Sequence, residues 1–300
     1  MTETIRRILA ATDLSEASRV AIRRAAQLAR QHGAQLVILH VVRPTSVLPE
    51  WLARAQPMLA NEEELTADLR GRLTSMAVEA GLGPEDDLSL EVRFGKPAHE
   101  IAHLASAIDA DLLVLGAHGE SGMVESLVGT TAHKATRMSD VPVLVVKTTP
   151  HAPYRRVLAS TDFTESAMHA MHFAARLAPA ARIELFHAYD VPYFTLMTHA
   201  GVSDDAMGDY RKMAFEDAKF AMTEFVSALG EGFETAPVLL RHGYAPTLIR
   251  QHVHEQGTEL VAVGAHGKGV LGTALLGSVS SRVLVECPCD VLVVKLATAH

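Results

Sequence analysis

The sequence predicts an α/β protein written twice, as two repeated doubly wound domains of alternating strands and helices. Three observations carry that prediction. Whole segments recur at an offset of 147–149 residues. Short aliphatic and β-branched runs alternate with stretches whose apolar residues fall three and four apart. The inner runs, such as "LVILHVV" and "DLLVLG", are apolar on both faces, as parallel strands are when helices cover both sides of the sheet.

The repeat is the first element to justify, because it sets the domain count. "RRILAATDLSEAS" (6–18) returns as "RRVLASTDFTESA" (155–167), and "QLVILHVV" (35–42) as "RIELFHAY" (182–189). "RFGKPAHEI" (93–101) returns as "RHGYAPTLI" (241–249), and "DLLVLGAHG" (111–119) as "ELVAVGAHG" (259–267). "VPVLVVK" (141–147) returns as "CDVLVVK" (289–295). The expected domains are 1–148 and 152–300, joined by the short polar, proline-bearing link "TTPHAP" (148–153).

Within the first copy the elements follow in order. "RRILAA" is a strand, and Asp13 and Ser15 then supply helix-start chemistry. "EASRVAIRRAAQLARQHG" is an amphipathic helix closed by Gly33. "AQLVILHVV" is a strand, and residues 60–80 form a second amphipathic helix. "SLEVRFG" is a strand, after which Pro97 opens a third helix as a first-turn proline. "DLLVLG" is a strand, followed by a glycine-rich segment and a short helix, and "VPVLVVK" closes the sheet. Right-handed crossovers turn this order into an open, doubly wound sheet. Ligands of such sheets lie beyond the carboxyl ends of the strands, where strand order reverses. Asp13, Asp162 and both "GAHG" turns fall at those ends.

Composition bounds the function. Three hundred residues with 48% hydrophobic and 21% charged side chains are an ordinary globular balance. Residues 1–148 carry 15 Lys and Arg against 19 Asp and Glu, and residues 149–300 carry 12 against 16, so each half is −4 and together they give the net −8. Neither half has the basic excess that non-specific nucleic-acid binding needs. No signal peptide and no membrane-spanning run is expected. The only cysteines, Cys287 and Cys289, read as reduced thiols beside a buried strand, so a cytoplasmic protein is expected.

The glycine segments carry the chemistry. The first copy has Gly116, Gly119, nine residues, then Gly129 and Thr130; the second has Gly264, Gly267, nine residues, then Gly277 and Ser278. Glycine lets backbone N–H groups approach a ligand without a Cβ in the way. Ser278 and Thr130 stand where an N-cap would open the next helix, and a helix N-terminus with a hydroxyl is an anion site. The same glycines also serve plain tight turns, and duplication would copy a structural turn as well as a functional one. Neither copy is a Walker A loop, nor a dinucleotide fingerprint, since the first turn "ATDLSEAS" lacks glycine.

These motifs resemble the universal stress proteins in their tandem two-domain form. The resemblance rests on G-x2-G-x9-G-[ST] in both copies, "ILAATDLSE" and "VLASTDFTE", the "LHVV" strand, and the closing "PVLVVK" and "CDVLVVK". It implies a five-stranded parallel sheet in each domain, of the adenine-nucleotide α-hydrolase-like kind. It also implies that the last strands pair the two domains as an internal pseudo-dimer. Family members often bind ATP, while others lack the glycine pattern and bind none. By resemblance, ATP or a related adenine nucleotide with Mg²⁺ is the expected ligand, and stress response or signalling the expected role. Gly116, Gly119, Gly129, Thr130 and Thr131 would line one phosphate site, and Gly264, Gly267, Gly277, Ser278, Val279 and Ser280 the other. Asp13 and Asp162, next to Ala11 and Ser160, would face the ribose or metal, and the backbone at Val41 and Ala188 the adenine.

The copies differ after the turn. Lys268 brings the charge a phosphate favours, whereas Glu120 would repel a triphosphate unless a metal intervenes. The second site is therefore expected to bind more tightly. His118 and His266, inside the turns, can orient the loop or touch phosphate.

Rival motifs are weaker. "HEIAH" (99–103) matches a zinc-protease helix, but no third ligand helix is evident, so catalytic zinc is not indicated and adventitious surface metal binding is a minor alternative. The Met and Phe residues of 190–230 recur near helical spacing, which predicts core. The other close histidine pairs, His169 with His172 and His252 with His254, read as surface. No nucleophile–base pair stands out, so an enzyme is not indicated beyond weak ATP hydrolysis. A nucleotide-independent interaction protein of the same fold is the alternative reading, with a homodimer or protein partner.

Overall fold

The computed structural model describes residues 4–43, 62–117, 128–191, 199, 203–265, 267 and 276–296. The chain divides into two compact units, with the boundary between Pro153 and Tyr154.

The first unit begins with β1 (Arg7–Thr12), α1 (Glu16–His32) and β2 (Gln35–Val42). It continues with α2 (Glu62–Glu79), β3 (Leu88–Phe94), α3 (Pro97–Ala107), β4 (Leu112–Gly116), α4 (Thr130–Met138) and β5 (Val143–Val146). Its strands lie in the order β3-β2-β1-β4-β5, all parallel. Strand order reverses at β1, which pairs β2 on one side and β4 on the other. The carboxyl ends of β1 and β4 therefore flank the crevice such sheets use for ligands.

Each element has a local cause. Ser15 caps α1 by accepting from Ser18 N, Glu16 favours the positive end of the helix, and Gly33 closes it at φ 62. Pro97 sits in the first turn of α3, where its missing N–H costs nothing. Leu69, Leu73, Met76 and Ala77 form the buried stripe of α2. Residues 8–10, 36–39 and 112–115 are buried throughout, which explains why these strands show no polar alternation. α1 packs with α2, and α3 with α4.

The second unit repeats the plan with β6 (Arg156–Ser160), α5 (Glu165–Leu177), β7 (Arg182–Tyr189), α6 (Asp204–Leu229) and β8 (Val238–His242). It ends with α7 (Ala245–Gln256), β9 (Leu260–Gly264), α8 (Ser278–Glu286) and β10 (Asp290–Val294). Its parallel strands run β8-β7-β6-β9-β10, so the reversal falls at β6. Thr164 caps α5 as Ser15 caps α1.

Two expectations need correction. The short helices after the glycine segments are capped by Gly129 and Gly277, with Thr130 and Ser278 one position inside, and neither cap makes a side-chain hydrogen bond. The backbone of both glycines is extended, which starts the helix one residue before the hydroxyl. The apolar residues of 190–230 are also not uniformly core. Met207, Met222 and Phe225 are buried, but Met213, Phe215, Phe220 and Tyr210 are exposed. Their spacing places them on more than one side of α6, and a helix packed on a sheet buries only one side.

Candidate functional site

The site is built on the turn from first strand to first helix. Asp13 Oδ1 accepts from the backbone N–H of Ser15 at 3.1 Å and from its hydroxyl at 2.5 Å. Asp162 Oδ1 receives the same pair from Thr164, at 3.2 and 2.6 Å. Each aspartate thus stands two residues before the cap and orients the capping side chain, rather than capping the helix itself. Thr12 Oγ1 accepts from Leu14 N at 2.9 Å, and Thr161 Oγ1 from Phe163 N at 2.8 Å. These bonds hold Leu14 and Phe163 in the left-handed region, at φ 66 and 67. A non-glycine residue there costs about 1 kcal/mol or more, and both halves bear that cost at the same point.

The second strand braces the turn. His40 Nδ1 donates to the Thr12 carbonyl at 2.9 Å, and His187 Nδ1 to the Thr161 carbonyl at 2.8 Å. Carbonyl acceptance places a proton on each Nδ1. These histidines and threonines recur in register in the two copies, which is the signal the sequence offers for their role. Val41 and Ala188 follow directly, half-buried near the ends of β2 and β7.

The glycine segments meet this turn closely in the second half. A Cβ on Gly264 would lie 2.7 Å from Ala167 N and 2.8 Å from Ser166 Oγ, so the end of β9 packs on the first turn of α5. A Cβ on Gly267 would fall 2.9 Å from Asp162 Oδ2, which brings the glycine turn and the aspartate together. Gly277 N donates to the Ala265 carbonyl at 2.7 Å, and a Cβ on Gly277 would lie 3.4 Å from Gly267 N. Ser280 of α8 donates to the Gly264 carbonyl at the end of β9, at 2.6 Å. Ser278 is exposed and Val279 half-buried at the start of α8.

In the first half Gly129 N donates to the Ala117 carbonyl at 2.6 Å, matching Gly277. Gly116 sits less tightly, 3.2 Å from the Ala17 carbonyl oxygen by the same measure. Thr130 is exposed and Thr131 half-buried in the first turn of α4. Ala11 and Ser160 are buried at the ends of β1 and β6. Burial, then the charge of Arg137, lowers the pKa of His133 in α4, so it adds no cation at neutral pH. Gly119, His266 and Lys268, with His118 and Glu120, lie outside the described residues.

The resulting geometry is a helix N-terminus whose glycine cap is tied beneath the carboxyl end of the fourth strand, beside an aspartate at the end of the first. Such an N-terminus carries partial positive charge and outward N–H groups, the requirement for an anion. The family model for the universal stress proteins matches this chain twice, at residues 4–147 and 153–295. The chain belongs to the universal stress protein family.

Its relatives in that family span both the tandem and the single-unit form. A universal stress protein of Mycolicibacterium smegmatis is 26% identical over 301 residues, covering 96% of each chain. Universal stress protein YxiE of Bacillus subtilis is 30% identical over 148 residues, 98% of its own length but 47% of this chain. Among solved structures, a universal stress protein from Archaeoglobus fulgidus covers 96% of this chain at TM-score 0.65 and 22% identity, a likeness of fold.

The rival motif folds differently from a metal centre. His99 and His103 are exposed on α3. The carboxyl of Glu100 bends back, so that a Cβ on Gly95 would meet its Oε1 at 2.7 Å. Among the described residues, no three His, Cys, Asp or Glu side chains are grouped to hold a metal ion. No described helix is long and apolar enough to cross a membrane.

Proposed function

We propose that this universal stress protein binds ATP or a related adenine nucleotide in each half, in the cytoplasm, and signals stress through its bound state. One observation carries the reading. The buried cap Gly277 starts α8 beside Gly267, which in turn lies against Asp162, and a glycine offers its helix no capping side chain. A phosphate lodged at Gly267 and the first turn of α8 would take the N–H groups of Ser278 and Val279, Gly277 giving its own to the Ala265 carbonyl, with Gly129, Thr130 and Thr131 the counterpart in the first half. The ends of β2 and β7, at Val41 and Ala188, would then receive the base.

Mg²⁺ fits this arrangement only as a partner of the phosphates. Magnesium is commonly held by one or two carboxylates plus substrate phosphates, and Asp162 (Asp13 in the first half) is the acid in position. Bound there, it would neutralise phosphate charge. The chain's own part is to orient that carboxylate through the N–H and hydroxyl of Thr164 and to present the N-terminus of α8.

The test is nucleotide recovered by chromatography after denaturing the purified protein, together with titration of ATP into site variants. Gly277→Asp, which adds a Cβ and a negative charge at the cap, is expected to weaken the second site at least tenfold. Gly129→Asp is expected to remove the weaker first site, since Lys268 favours phosphate and Glu120 opposes it. Absence of recovered nucleotide together with no shift in melting temperature on adding ATP would sink the reading.

A further inference from the structure

The outward face of α6 distinguishes the second half and is independent of the nucleotide reading. This helix buries Met207, Ala218, Met222, Phe225 and Leu229 against its own sheet. On the other side Met213 is 62% exposed and Phe220 65%. They are seven residues apart, two helical turns, and therefore lie on one line along the helix. Phe215 is not part of that line, since its ring lies edge-on to Tyr189 at 6.0 Å.

Carboxylates surround the pair. Asp209 lies one turn before Met213, Glu216 and Asp217 lie between the two apolar residues, and Glu224 lies one turn after Phe220, all exposed. Lys212 and Lys219, both exposed, lie along one edge of this face, and Lys219 is 4.0 Å from Glu216. The corresponding helix of the first half, α2, also exposes carboxylates, Glu62, Glu63, Glu64, Asp68 and Glu79, but interleaves them with Arg70 and Arg72. It has no apolar pair among them: of its described residues Val78 is the one large apolar side chain exposed.

We infer that this face of α6 docks a basic amphipathic helix, which seats apolar side chains against Met213 and Phe220 and sets Lys or Arg against the four carboxylates. Charge decides the occupant. Anionic lipid and nucleic acid both require a basic surface and are repelled by this one. A second copy meeting the same face would oppose carboxylate to carboxylate across an isologous contact. A cationic helix removes that repulsion and covers the two apolar side chains together, and helices recognise helical faces through anchors at such spacings.

The probe is a synthetic 18-residue Lys/Leu peptide with its leucines on one helical face, titrated into the full chain by fluorescence anisotropy at physiological salt. The control is a scrambled peptide of the same composition. The amphipathic peptide is expected to bind at least tenfold more tightly than the scrambled one. Met213→Ser with Phe220→Ser, and separately Glu216→Lys with Asp217→Lys, are each expected to lose tenfold or more with unchanged circular dichroism. Equal binding of the two peptides, or variants that bind like the parent, would overturn the inference. So would a parent that elutes as a dimer and a Met213→Ser/Phe220→Ser variant that elutes as a monomer, because that assigns the face to a second copy.

Discussion

The two halves share their turns and differ in their helices. At the carboxyl end of the first strand the same chemistry is present twice: an aspartate orienting a hydroxyl cap, a threonine holding a left-handed residue, and a histidine bracing the threonine carbonyl. Away from that end the copies part. His252 on α7, expected at the surface from its sequence, is buried and donates to Glu184 of β7 at 2.9 Å, while its Nδ1 has no hydrogen-bond partner among the described residues. The repeat places Leu104 and Val37 at those positions, both buried and apolar. Ser280 likewise stands where the first half has Ala132. Bonds that shape the strand-end turn tolerate little change, because several groups hold each backbone angle at once. Helix-to-sheet contacts accept any pair that fills the space and satisfies its polar atoms.

The largest test of this contrast is at the fourth strand. Gly264→Ala puts a methyl against backbone atoms that cannot yield, and is expected to destabilise the second unit by about 3 kcal/mol. Gly116→Ala, with looser neighbours, should cost about 1 kcal/mol. Denaturant melts of the two variants check both, and equal losses would break the distinction between the turns.

The buried pair comes next. His252→Leu alone leaves Glu184 facing an apolar neighbour and is expected to cost about 2 kcal/mol, below the range for a fully buried pair because Arg182 also contacts Glu184. Adding Glu184→Val copies the apolar pair of the first half and should recover most of that loss. A double variant no more stable than the single one would show that the sites are not interchangeable. Ser280→Ala, which copies Ala132, should cost about 1 kcal/mol by removing the bond to the Gly264 carbonyl.

The smallest expected effect belongs to the first half. Arg30 reaches Asp86 with two hydrogen bonds, at 2.9 and 2.8 Å, whereas the repeat has Pro179 in place of the arginine. The guanidinium, then the N–H of Gly83, lowers the Asp86 pKa to about 2. A carboxylate depressed in the folded state stabilises above its unfolded value of 3.8 and loses that contribution as pH falls towards about 2. Asp86→Asn is expected to flatten the acid limb of the stability profile between those values, and an unchanged limb in acid titrations followed by circular dichroism would refute it.

Much of this architecture was legible in sequence. Repeats at constant offset gave two units, continuous apolar runs gave parallel strands, and Ser15, Gly33 and Pro97 marked helix ends, because each of those signals is local. The glycine cap falls one residue earlier than sequence suggests, since Thr130 and Ser278 are good caps in isolation and only the tie to Ala117 or Ala265 moves the helix start. The exposed side of α6 reads as core in sequence because periodicity reports that a helix has faces without saying how many are covered.

Sequence alone determined the alternation of elements, the duplication and the residues at the strand ends, for these follow from patterns within a few residues of each other. Tertiary structure decided which of those residues meet. Gly267 lies against Asp162, His252 finds Glu184, and Met213 and Phe220 remain exposed while Met222 and Phe225 do not. Those outcomes depend on which strands become neighbours and which side of a helix the sheet covers, and neither is encoded in any single stretch of chain.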